Sequence, residues 1–254
     1  MTPSPFLIIF HAHMSLGQYL RRGLLTLIWI AIVSPLLGDV SCPHLAAAED
    51  LVQRLDLSAT DYTHGAFDVS WDTPPHCYAD CSGFLDALLM HVYGFKRDNF
   101  YHWLGSRRPN AAAYYATIRN EHGFEVIARL DAVQPGDILA IYYVNHTENS
   151  GHILIADGRP ESMPSKPPIK AGLQQWQVPV IDCSESGHGP KDTRHKKGSD
   201  GKDHTGLGRG FLRLYCDQKG QISGFTWSTL NVSAFKSSDD EPLIIGRLDP
   251  HFRP

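Results

Sequence analysis

The sequence predicts an α+β fold with an antiparallel sheet, and three observations predict it. Helical patterns come first along the chain. Short runs rich in Ile, Val, Leu and Tyr follow in hairpin-like succession. Gly, Pro and Asp separate those runs. Five or six strands fit this pattern, with the N-terminal helices packed on them.

The elements follow in order. Arg21 and Arg22 precede an apolar run at residues 23–37, a charged n-region before an h-region. Ala46-Ala47-Ala48 offers a small-residue cleavage site. Residues 1–48 therefore read as a signal peptide and 49–254 as the mature domain, secreted or periplasmic. Cys42 invites a lipid-anchor reading, which ranks below simple secretion because no leucine stands three places before it. Residues 49–57 predict a helix with Leu51, Val52, Leu55 and Leu57 as its apolar positions. Residues 58–80 are a connection rich in Pro, Asp and aromatics. Residues 81–92 predict a helix ended by Gly94, and 110–120 a second one closing before Gly123. Strands are predicted to begin at Phe124 and to run over 137–144, 151–157, 177–183, 210–216 and 221–228. Four prolines make 159–172 a loop. Residues 184–208 carry almost no apolar side chain and predict a flexible insert.

The 254 residues carry a formal charge of −4. Loss of Arg21, Arg22 and Asp39 with the leader leaves 21 basic and 26 acidic side chains. That balance provides no basic footprint for nucleic acid. No apolar run after the leader is long enough to span a membrane, and a monomer is expected. His188, Asp192, His195 and His204 match no zinc spacing, so neither metal nor cofactor is expected.

The candidate chemistry centres on Asp80-Cys81-Ser82-Gly83-Phe84, a cysteine at a helix start. The unpaired N–H groups and the macrodipole there favour the thiolate, which is the nucleophile. Ser82 and Gly83 let a carbonyl approach the helix start. His152, in Gly151-His152-Ile153-Leu154-Ile155, opens a strand and is the candidate base. Asp182, at the end of Val180-Ile181-Asp182, is the candidate orienter, accepting the Nδ1–H of His152. His188, six residues on, is its rival for that role. Strand alternation sends Cys183 to the opposite face from Asp182, as a structural thiol for which Cys216 is one candidate partner, the pairing being left open.

Tyr62-Thr63-His64-Gly65, Asp80-Cys81-Ser82-Gly83, Pro135-Gly136-Asp137 and Gly151-His152-Ile153 stand in an order that resembles the NlpC-like cysteine peptidases. The resemblance covers roughly residues 55–183. It implies a papain-like fold and hydrolysis of amide bonds in peptides, peptidoglycan stem peptides above all. It also implies Cys81 as nucleophile, His152 as base and Tyr62 as a substrate contact, with Ser82 and Asp80 beside it. The reaction it implies passes through a thioester acyl-enzyme, with an acyl transferase as a chemical variant. A non-catalytic cell-wall or partner-binding module on the same fold is the reading from another class.

Overall fold

The computed structural model describes residues 42–144, 146 and 149–254. The apolar run expected as a leader lies outside them. Helix α1 (Pro43–Arg54) opens on Pro43, whose missing N–H costs nothing at a first helical position. Its buried residues are His44, Leu45, Ala48 and Leu51, one helical stripe. The helix expected from Glu49 thus starts six residues earlier, and residues 46–48 lie inside it.

Three short strands follow: β1 (Thr60–Tyr62), β2 (Phe67–Ser70) and β3 (His76–Ala79). They form a separate sheet in the order β1-β3-β2, with β1 parallel to β3. Helix α2 (Cys81–Tyr93) is capped at its start by Asp80, which accepts the Gly83 N–H, and ends at Gly94 in the left-handed region. Helices α3 (Arg97–Leu104) and α4 (Ala111–Arg119) complete the helical layer. Asn110 caps α4 by accepting the Ala113 N–H at 3.0 Å.

The remaining strands are β4 (Phe124–Val126), β5 (Ile138–Tyr142), β6 (Gly151–Ala156), β7 (Glu161–Met163), β8 (Gln174–Ser184), β9 (Gly206–Cys216), β10 (Ile222–Thr226), β11 (Phe235–Ser237) and β12 (Leu243–Leu248). They form a nine-stranded antiparallel sheet in the order β11-β10-β9-β8-β6-β5-β12-β4, with β7 on β8. The expected papain-like sheet of five or six strands is therefore corrected. Two features enlarge it. Strands β8 and β9 are eleven residues each and pair along their full length. The C-terminal segment supplies β11 and β12, and β12 inserts between β5 and β4.

Both faces of the central strands are buried, so β5 and β6 read as continuous apolar runs. Ile138, Ala140, Ile153 and Ile155 pack into a core shared with the helices. Leu139, Ile141, Leu154 and Ala156 alternate into a second core with Leu130, Val178 and Leu212. Among the described residues, no helix is long and apolar enough to cross a membrane.

Candidate functional site

The start of α2 is built around Asp80. Its Oδ1 accepts from the Gly83 N–H at 2.6 Å and the Ser82 hydroxyl at 3.0 Å, and its Oδ2 accepts from the Gly65 N–H at 2.8 Å. Gly83 must be glycine, because a Cβ there would overlap the Ala66 carbonyl. Cys81 follows the cap and is 5 % exposed. It opens into a cleft of about 350 Å³ that is also lined by Tyr62, His64, Ser82, Asp86, Arg108, Asn110, Ala111 and residues 149–151. Tyr62 is half-buried, and desolvation raises its phenol well above the usual range. Asp86 is buried on the cleft wall and accepts the Tyr114 hydroxyl at 2.7 Å. Desolvation raises its carboxyl well above the usual carboxylate value.

Behind Cys81 lies a charged network. His152 Nε2 meets Asp182 Oδ2 at 2.6 Å. The same oxygen meets His188 Nε2 at 3.0 Å, while Asp182 Oδ1 accepts from Arg194 at 2.8 Å. Arg194 also holds Asp192, through Nε at 2.9 Å and Nη2 at 2.8 Å. Its Nη1 donates to the Ser184 hydroxyl and the Gly206 carbonyl, each at 2.9 Å. His188 Nδ1 meets the Trp227 carbonyl at 2.7 Å. Both ring nitrogens of His188 thus face oxygen atoms. The Trp227 ring lies 4.8 Å from His152 and 4.5 Å from His188, centroid to centroid.

The electrostatics follow from that geometry. Burial alone would raise Asp182, but Arg194, His188 and the hydrogen bonds hold it well below the usual carboxylate range. Burial works against a charge on His152, yet Cys81 and Asp182 together raise it to about 10. The imidazole is therefore charged at neutral pH.

The structure gathers Cys81, His152, Asp182, Tyr62, Ser82 and Asp80 around one end of the sheet. The chemistry expected of them is corrected. His152 turns Nε2, not Nδ1, to Asp182. Asp182 is no dedicated orienter, being shared among two histidines and an arginine in a buried ion-pair network. His188 binds Asp182 rather than competing for His152. Cys183 does not meet Cys216, which pairs across from Gln174, nine residues along β9 from the partner of Cys183 and so roughly 30 Å away. Among the described residues, no cluster of His, Cys, Asp and Glu is arranged to hold a metal ion.

Arg194 and Trp227 were not singled out as site residues. Arg194 stands in the run Arg194-His195-Lys196-Lys197, which looks like a solvated basic patch. A signal for its burial was present in Gly206-Leu207-Gly208-Arg209-Gly210. Glycine at every second position clears one face of β9. A Cβ at Gly208 would strike Arg194, and one at Gly210 would strike Asp192 and His188.

No family model matches the chain, and no solved structure matches it. The NlpC-like assignment and the cell-wall cysteine hydrolase it implied, amidase or acyl transferase, therefore have no support beside the differing sheet, and both are corrected. A protein of Acanthamoeba polyphaga mimivirus, described as uncharacterized protein R653, is 34 % identical over 203 residues. The match covers 75 % of this chain and 88 % of the viral protein. By that identity and coverage, the chain belongs to the family of uncharacterized protein R653.

Proposed function

We propose that the chain is a binding protein whose cleft takes a small carboxylate, such as the C-terminus of a short peptide. The observation that carries this reading is the convergence of two helix N-termini and a guanidinium on one cleft. Helix α2 brings the N–H groups of Cys81 and Ser82, and α4 those of Ala111 and Ala112. Among the described residues none of the four has an acceptor. Each helix start carries roughly half a positive charge. Arg108 stands at the same opening, its guanidinium 5.2 Å from the Phe67 ring centroid. The cleft's own carboxyls offer little opposition. Asp80 has both oxygens engaged, and burial disfavours a charge on Asp86.

In this reading Cys81 forms the floor of the site, and His152 and Asp182 supply fixed charge behind it. Tyr62, Ser82 and Asp80 form the wall beside the ligand. A monomer, exported behind the apolar leader, belongs to the same proposal, and N-terminal sequencing of the mature chain tests the export. Calorimetric titration with N-acetyl amino acids tests the binding. Replacing Arg108 by Ala removes a charge-assisted bond and is expected to weaken affinity about tenfold or more. Equal affinity for the carboxylate and its neutral amide would overturn the reading.

A further inference from the structure

We propose that Cys77 and Cys183 join as a disulfide in an oxidising compartment, fastening the three-stranded sheet to the nine-stranded sheet behind Cys81. All five described cysteines are free thiols in this structure. Cys77 on β3 and Cys183 on β8 are fully buried in one core. Three contacts bring them together. The Cys183 thiol donates to the Ala79 carbonyl at 2.9 Å, so it reaches across to β3. Ala79 stands two residues from Cys77, on the same inward face of that strand. Thr60 joins β3 to β9, the strand paired with β8. Its hydroxyl donates to the Cys77 carbonyl at 3.0 Å and accepts from the Leu207 N–H at 2.9 Å, and Leu207 is the register partner of Cys183. Burial and the neighbouring Cys77 thiol also push the Cys183 thiol well above its usual range, as expected of two sulfurs confined side by side.

The other cysteines are placed elsewhere. Cys216 lies in the second core, Cys42 packs on His44, and Cys81 opens to the cleft. The chemistry is thiol–disulfide exchange with a small disulfide such as oxidised glutathione. One thiolate attacks the oxidant and forms a mixed disulfide, releasing one glutathione thiol. The second cysteine then attacks the protein-side sulfur and releases the other. Two S–H bonds are lost, one S–S bond forms, and the two electrons and two protons reside on the released thiols. Because both sulfurs are sealed in the native fold, the exchange belongs to folding, before the two sheets close.

The test refolds the full chain in a glutathione redox buffer, alkylates it under denaturing conditions, and maps non-reduced peptides by mass spectrometry. A Cys77–Cys183 linked peptide is expected, with Cys42, Cys81 and Cys216 alkylated. The oxidised chain should melt several degrees above the reduced one, and Cys77→Ser or Cys183→Ser should abolish that difference. The mapping needs no variant, so it decides even if a serine variant fails to fold. Absence of the linked peptide, or a bridge to Cys81 or Cys216 in its place, would overturn the proposal.

Discussion

Asp86 shows how one side chain can couple the cleft to pH. It sits on α2 with its carboxyl buried, bonded to Tyr114 and flanked by Asp80, Arg97 and Arg108. Desolvation outweighs the two arginines, so its folded pKa is raised above the unfolded one. The sign follows from linkage: its contribution to stability is fully present below the unfolded pKa and is lost as pH rises through the folded pKa. Asp86→Asn is neutral at every pH and should escape that loss. The variant is therefore expected to gain on the wild type as pH rises from the unfolded towards the folded pKa, at up to about 1.4 kcal/mol per pH unit, and to gain nothing further above the folded pKa. Urea midpoints of both proteins across a pH series measure this. Parallel curves would show that Asp86 is ionised throughout.

At the scale of elements, residues 184–208 are tied to the sheet by charge rather than by apolar contacts. Arg194 is 4 % exposed and bonds Asp182, Asp192, Ser184 and the Gly206 carbonyl. Asp182→Ala leaves Arg194 and two histidines without their shared carboxylate. Removing one partner of a buried ion pair costs about 3–5 kcal/mol. The variant should lose that much in urea titrations and expose the amides of 184–208 to hydrogen exchange. An unchanged midpoint would mean that Asp192 alone suffices to hold Arg194. The sequence predicts a flexible insert here, and the ion pairs that tie it to the sheet are not legible in it. Polar side chains carry no periodicity, so a segment anchored by ion pairs looks like a loop. The same limit hid β1, β2 and β3, whose three or four residues are too short for alternation to register. Helices α2 and α4 were legible because Asp80, Gly94 and Asn110 are cap signals in the sequence itself. Strands β5 and β6 were legible through their β-branched runs. Cys81 and His152 were legible as candidates because they stand at element starts. Their chemistry was not, because it depends on Arg194 and His188, which reach Asp182 from the insert.

On the scale of the whole molecule, a helical layer and a small sheet pack on one face of a large antiparallel sheet, with the cleft where they meet. Two separately capped helices point their starts at the same opening, which no single motif encodes. That convergence underlies the proposed carboxylate site. It is tested most directly by protection of Cys81. Of the described cysteines, Cys81 alone lines the cleft, whereas Cys77, Cys183 and Cys216 are sealed in cores. Iodoacetamide should modify it ahead of those three in the native protein. An N-acetyl amino acid should slow that modification in proportion to occupancy, its neutral amide should not, and Arg108→Ala should remove most of the protection at the same ligand concentration. Carboxylate binding that leaves the alkylation rate of Cys81 unchanged would place the ligand elsewhere and contradict the account.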